Sequence, residues 1–125
     1  MKGDSRTKLW DTRAKRAYNL FPKEAQSFFE FVLALGQKGY RHLDAKVLLT
    51  KSAPEVWTVS QEHRNGTYYL VVTLGFTGAV VVLHAFQTSA DQSAADFLGK
   101  DFDEIFERLK CAQANHALWM KQKAL

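Results

Sequence analysis

The first third of the chain shows the apolar spacing of helices. Apolar residues recur every three or four positions over residues 13–21, and Pro22 stands where a second helix would take its first turn. A broad apolar stripe then runs over residues 25–35 and ends at Gly36. The pattern therefore predicts two consecutive helices, each with one face against a core.

The middle of the chain changes to the alternation and short apolar runs of strands. The predicted strands are residues 45–49, 55–61, 67–74 and 79–86. Asn65 and Gly66 indicate a tight hairpin turn, because its positive backbone angles suit Asn followed by Gly. The segment 79–86 is apolar on both faces, as in a central strand covered by helices. Residues 8–12 are a further candidate edge strand.

The last part of the chain predicts one more helix, after a polar stretch over residues 87–99. Acidic residues near its start favour a beginning at residues 100–103. Its predicted apolar stripe is Phe102, Ile105, Phe106, Leu109 and Ala112, and its predicted outward side chains are Glu104, Arg108, Lys110 and Gln113. The resulting prediction is an α+β domain: two N-terminal helices and a C-terminal helix on a small twisted antiparallel sheet of about four strands.

Composition indicates a single domain in a reducing compartment. The chain has 125 residues, of which 46% are hydrophobic, and neither a linker nor a repeat divides it. We therefore expect one domain over residues 1–125, with residues 1–9 flexible. Cys111 is the one cysteine, so no internal disulfide can form, and no signal-peptide pattern opens the chain. The expected location is therefore cytoplasmic. No membrane partner is expected, because turn residues interrupt the longest apolar stretch.

Positive charge is concentrated in the first half. The net charge is +4, and residues 1–51 contain 11 Lys and Arg against 5 Asp and Glu. This imbalance suits an anionic partner such as RNA or an acidic protein segment. A solvated helix face gives the same pattern, and charge alone does not separate the two interpretations.

Short sequence motifs along the chain resemble those of a known family. They are Trp10, Leu20-Phe21-Pro22, Gln37-Lys38-Gly39, Ala45-Lys46-Val47-Leu48, Val56-Trp57, Gly66-Thr67-Tyr68, Leu83-His84-Ala85-Phe86-Gln87, and Arg108-Leu109-Lys110 with Ala112. In order and spacing they resemble the RelE and HigB superfamily of toxins, especially its phage-related branch. The resemblance implies a ribosome-dependent endoribonuclease that cuts mRNA and is silenced by a cognate antitoxin.

The chain departs from the family pattern where the family carries cations. Members of the family commonly have Arg or Lys at the positions occupied here by Ser60, Tyr69, Thr88 and Ser89. Cleavage by the ribose 2′-hydroxyl needs positive groups that hold the phosphate and a group that moves protons. The match therefore favours the fold more strongly than it favours the catalytic activity.

Other residues could supply the chemistry. Lys46 belongs to a matched word, and with Arg41 and His42 it forms a candidate RNA-binding set. Our predicted catalytic residues are Lys46, His63, Arg64 and Tyr69, with Lys46 or Arg64 holding phosphate and His63 moving protons. Tyr69 could stack on a base or anchor a protein partner. A solvated basic loop around Lys46 and a charged hairpin tip at His63 are the structural alternatives.

The remaining titratable residues predict no further site. The four histidines are scattered, so no metal is expected, and neither is a small-molecule cofactor. His84 is predicted to be a core or sheet-face histidine with one hydrogen-bond partner, and Cys111 a small buried side chain. The rival to the toxin hypothesis is a non-catalytic protein-interaction module that uses a toxin-like fold.

Overall fold

The computed structural model describes residues 6–49, 55–64, 66–89 and 94–124. Its strands are β1 (Thr7–Trp10), β2 (Lys46–Leu49), β3 (Val56–His63), β4 (Gly66–Thr73) and β5 (Ala79–Thr88), and its helices are α1 (Thr12–Tyr18), α2 (Lys23–Gln37) and α3 (Ala94–Ala124). The protein is therefore an α+β protein, and its three helices and strands β2 to β5 follow the predicted order, with β1 preceding them.

The sheet has one strand more than predicted. Its order is β1-β5-β4-β3-β2, antiparallel from β2 to β5, with β1 parallel to β5. The prediction of about four antiparallel strands is thus wrong in this detail. Arg6 explains how so short a strand is held, because its guanidinium donates to the carbonyls of Leu74, Phe76 and Ala79 at 2.8, 3.2 and 3.1 Å.

Two predicted boundaries also need correction. Residues 7–9 were expected to be flexible, yet they lie in β1, while residues 1–5 fall outside the described part. Helix α3 begins at Ala94 instead of at residues 100–103. Ala94 and Ala95 are strong helix formers, and one interior glycine, Gly99, costs only about 1 kcal/mol relative to alanine.

Local chemistry explains the ends of the other elements. Asp11 caps α1, since its carboxylate accepts hydrogen bonds from the backbone N–H groups of Arg13 and Ala14. Gly66 begins β4 with φ +127°, and a Cβ atom there would overlap the carbonyl oxygen of Thr88. The predicted hairpin between β3 and β4 therefore requires this glycine.

Helices α1 and α2 cover one face of the sheet, which we name the α2 face. Its buried sheet residues are Trp57, Val59, Tyr68, Leu70, Val72, Val80, Val82 and Ala85. The rings of Tyr18, Phe21 and Phe29 meet over them at centroid distances of 5.5 to 6.4 Å. Among the described residues, this aromatic cluster belongs to the larger of the two cores.

Helix α3 covers part of the opposite face, which we name the α3 face. The buried residues there are Val56, Val71, Phe76, Ala79, Val81, Leu83, Phe86, Ile105 and Leu109. Because β5 is covered on both sides, all but one of its ten residues are buried, as the continuous apolar run predicted. Among the described residues, no helix is long and apolar enough to cross a membrane.

Candidate functional site

Strand pairing sorts the predicted site residues onto the two faces. Side chains that are opposite each other on neighbouring strands point to the same side of a sheet. Lys46 is paired with Thr58, and Thr58 is paired with Val71 of the α3 core. Ser60 is paired with Tyr69, which also packs against the α3 core. Lys46, Ser60 and Tyr69 therefore share the α3 face.

Lys46 and Tyr69 lie on this face but do not touch. Lys46 is exposed on the edge strand β2. Tyr69 lies two strands away and two residues along, which corresponds to about 12 Å between backbone positions. Its half-buried ring stacks on Phe86, with centroids 4.7 Å apart and planes 8° apart. One face of the ring is therefore covered by Phe86, and part of the side chain remains accessible to solvent.

His63 lies on the other side of the sheet. Its ring contacts Tyr68 of the α2 core at a centroid distance of 6.1 Å, and its Nε2 is 3.8 Å from the Glu24 carboxylate on α2. The His63 Nδ1 is buried and has no hydrogen-bond partner among the described residues. The structure therefore does not bring His63 together with Lys46 and Tyr69. Arg64 is exposed in the turn at the end of this hairpin.

Arg41 and His42 follow α2 and are held by neighbours of their own. The Arg41 guanidinium donates to the Glu55 carboxylate at 2.9 Å. The His42 ring contacts Phe28 and Phe31 edge-on at 5.3 and 6.1 Å, and its Nδ1 accepts from the Asp44 N–H at 3.1 Å. An RNA phosphate at Arg41 would have to compete with Glu55, whereas Lys46 is an exposed cation that forms no ion pair with another described residue.

The positions that depart from the family pattern lie on β3, β4 and β5 or just after β5. Ser60 is exposed beside Tyr69 on the α3 face, Thr88 is buried opposite Thr67, and Ser89 is exposed just after β5. Among the described positions of β2, β3 and β4, Lys46 is the one Lys or Arg on the α3 face. This face therefore offers hydroxyl groups and one ammonium group to an anionic ligand.

Sequence reasoning missed a buried arginine. Arg108 was predicted to face outward, but only 6% of it is exposed. Its Nη1 donates to the Leu83 carbonyl at 3.1 Å and to His84 Nδ1 at 2.7 Å, and its Nη2 is 3.1 Å from the Glu104 carboxylate. Because a guanidinium can only donate, His84 Nδ1 must be the unprotonated ring nitrogen. The i, i+4 spacing of Glu104 and Arg108 in the sequence indicated an ion pair, but it did not indicate that Arg108 is buried.

The carboxyl group of Asp11, next to this arginine, has a lowered pKa. Burial raises the pKa of Asp11, but hydrogen bonds from the Arg13 side chain and from the N–H groups of Arg13 and Ala14, with the charge of Arg108, outweigh it and lower the pKa. Asp11 is therefore ionised at neutral pH. Its Oδ1 lies 3.8 Å from Arg108 Nε, so β1, α1 and α3 meet at one ionic cluster.

Cysteine and metal chemistry add nothing further to the site. Cys111 was predicted to be buried but is exposed on α3, because it lies beside the stripe that faces the sheet. Within the ranges that the structure describes, no three His, Cys, Asp or Glu side chains are grouped as a metal site would require.

Comparison of the coordinates with solved structures finds the E. coli toxin RelE. The match is to a variant with two arginines replaced by alanine, in the free state, with a TM-score of 0.57, 15% identity, and coverage of 83% of this chain and 97% of that chain. The chain has a RelE-like fold. No protein-family model and no curated protein matches its sequence. At this identity the RelE likeness shows the fold alone.

Proposed function

We propose that this protein is a RelE-like toxin of a toxin–antitoxin pair that binds mRNA on the ribosome and cleaves it slowly. The observation that supports the proposal is the RelE-like fold over 83% of the chain, found by coordinates and in agreement with the sequence words. Those words also favour the phage-related HigB-like branch. The proposed setting is the cytoplasm, with a cognate antitoxin as the protein partner.

The proposed RNA-binding surface is the α3 face around Lys46. In this proposal the exposed Lys46 ammonium holds a phosphate, and the partly exposed Tyr69 ring, about 12 Å away along the sheet, stacks on a base. A spacing of this size suits groups that contact adjacent or next-but-one nucleotides. The Arg41 guanidinium, which binds the Glu55 carboxylate just before β3, would add charge to this surface once released from Glu55.

Cleavage is proposed to be slow because neutral residues stand where the family has cations. Removal of one transition-state donor costs about 2.7 to 4 kcal/mol in other enzymes, a factor of about 10² to 10³ in rate. With Ser60 and Tyr69 where the family has arginine, this face lacks the cations that would stabilise the transferred phosphate. The phosphate-holding role of Arg64 stays a prediction. The proton-transfer role of His63 also stays a prediction, and it requires RNA to reach the α2 side of the sheet, because His63 lies next to Glu24 of α2.

Induced expression in a bacterium tests the proposal. Growth should slow, and primer extension should show cuts in translated mRNA. Lys46→Ala should abolish both effects, whereas Lys38→Ala, which removes an exposed lysine just after α2, should leave both unchanged. Co-expression of a small neighbouring open reading frame that encodes the antitoxin should restore growth.

A non-catalytic interaction module is the second candidate. It is favoured by the neutral character of the α3 face and by exposed apolar side chains on α3, with Leu118 59% and Met120 38% exposed. Normal growth with intact mRNA, together with a stable complex with the neighbouring gene product, would support this candidate and reject the nuclease.

A further inference from the structure

Helix α3 has an exposed side that points away from the sheet. Ile105, Leu109 and Trp119 pack toward the sheet. The opposite side of the helix carries a regular series of exposed residues, which we name the outer stripe: Glu107, Cys111, Ala114, Leu118 and Lys121. Successive members are four, three, four and three residues apart, which is the spacing along which two helices pair in a coiled coil. Leu118, at 59% exposure, is its largest apolar side chain.

The outer stripe is charged at its two ends and uncharged between them. Glu107 stands seven residues before Ala114, and Lys121 stands seven residues after it. Along the helix axis Glu107 and Lys121 are therefore about 21 Å apart, too far to form an ion pair with each other. Within the described ranges, neither side chain has an ion-pair partner. Both charges are thus available to a second molecule.

The outer stripe is complementary to a second copy of itself that runs in the opposite direction. If two copies cross near Ala114, Glu107 of each copy comes within one helical turn of Lys121 of the other, because both are equally far from the crossing. In a parallel pair, like charges would meet and repel. Ala114 has no side chain beyond Cβ, so the two helix axes can approach to about 8 Å. Cys111 and Leu118 then flank the crossing.

We propose that the protein forms a symmetric dimer through antiparallel contact between the α3 helices of two copies along the outer stripe. The helix is already formed and fastened to the sheet in each copy, so dimerisation does not have to order it. Contact over about four helical turns covers less surface than the roughly 1,200 Å² of a standard interface, so we expect a dissociation constant of about 10 to 100 µM. The proposal is independent of nuclease activity, because Lys46 lies on β2 and outside the outer stripe.

Sedimentation equilibrium of the full-length protein at low salt tests the proposal. The protein concentration is varied from about 1 to about 500 µM, which brackets the expected dissociation constant. A reductant is kept in the buffer, because the exposed Cys111 could otherwise join two copies through a disulfide. The average mass should rise from that of the monomer to that of the dimer. A wild-type protein that stays monomeric over this range would overturn the proposal.

Charge reversals separate the proposed contact from other kinds of association. Glu107→Lys and Lys121→Glu should each weaken dimerisation at least about tenfold, because each places like charges together at both ends of the contact. The double variant restores opposite charges and should dimerise within about threefold of the wild type. Net charge alone predicts otherwise, since Lys121→Glu moves the charge of +4 toward zero and would strengthen association. Lys38→Glu, the same change just after α2, should not weaken the dimer.

A substitution at Leu118 tests the apolar part of the contact. Leu118→Ser should weaken dimerisation at least about tenfold, because both copies lose apolar burial. The side chain is mostly exposed in the single chain, so the variant should still fold. Leu43→Ser removes a leucine that is 99% exposed outside α3 and should leave dimerisation unchanged. A dimer that tolerates Leu118→Ser and both single reversals, or a double reversal that fails to restore dimerisation, would contradict the proposal.

Discussion

On the α2 face, the rings of α1 and α2 close over Trp57 and Leu70, and none of the described residues there buries a charged side chain. On the α3 face, by contrast, a guanidinium, Arg108, is buried against β5, and polar positions such as Ser60 remain exposed beside Tyr69. Apolar burial stabilises without direction, whereas a buried charge needs partners in fixed places. The α2 face thus mainly stabilises the fold. The α3 face, with a buried charge and exposed polar residues, is the candidate for ligand binding.

The largest expected effect lies in the aromatic core of the α2 face. Phe29 is fully buried, so Phe29→Ala should lower the free energy of unfolding by about 3 to 5 kcal/mol through lost burial and a cavity. Phe31→Ala on the same helix removes a ring that is 56% exposed and should cost less than about 1 kcal/mol. Urea denaturation of both variants measures the difference. Equal losses would contradict the placement of α2.

Arg108→Met tests the ionic character of the α3 face. Methionine fills part of the space of the arginine side chain but cannot donate, so the Leu83 carbonyl and His84 Nδ1 lose the hydrogen bonds from Arg108 Nη1. We therefore expect a loss of about 2 to 4 kcal/mol in the free energy of unfolding. Lys110→Met, at an exposed position on the same helix, should change the free energy of unfolding by less than about 0.5 kcal/mol. An Arg108→Met protein as stable as the wild type in urea would show that Arg108 does not fasten α3.

Asp11 caps α1 on the α2 face and lies next to Arg108 on the α3 face. Its ionisation should have a smaller effect on the free energy of unfolding, and this effect depends on pH. Its pKa is lowered in the fold from an ordinary value of 3.8, so its stabilisation is present above that value and is lost as pH falls through the folded pKa. Asp11→Ala should cost about 1 kcal/mol at pH 7 by removing the cap of α1.

Asp11→Asn keeps an oxygen that can cap the helix but has no charge to lose. Between about pH 5 and about pH 3, the wild type should therefore lose more stability than the asparagine variant. Urea titrations at the two pH values measure this difference. Parallel losses in both proteins would contradict the lowered pKa.

Periodicity was sufficient for most of the fold because each element has one strongly apolar side. Helix α2 and strand β5 lie close to their predicted positions, and the Asn65-Gly66 pair correctly predicted the β3–β4 hairpin. The parallel pairing of β1 was missed, because four residues give too short a pattern and their partner strand is distant in sequence. The contacts of Arg6 that hold β1 are also non-local.

The candidate site was harder to predict because alternation fixes which residues share a face, but not which face is covered. Strands β3 and β4 are paired, yet the register of the pair puts the His63 side chain on the α2 face and the Tyr69 side chain on the α3 face. Arg108 was placed outward because a charged residue is rarely buried unless it is paired. Its partners, Leu83 and His84, come from β5 and become neighbours only in the folded chain.

The most direct test of the account is the cleavage of mRNA by purified protein on programmed ribosomes, with Ser60 replaced by arginine. Ser60 is exposed on the α3 face beside Tyr69, where the RelE and HigB pattern has arginine. Ser60→Arg should speed cleavage at least about tenfold by adding one transition-state cation. Gln61→Arg, one residue along and on the α2 face, should leave the rate unchanged. Equal rates for Ser60→Arg, Gln61→Arg and the wild type would contradict the assignment of the α3 face to RNA.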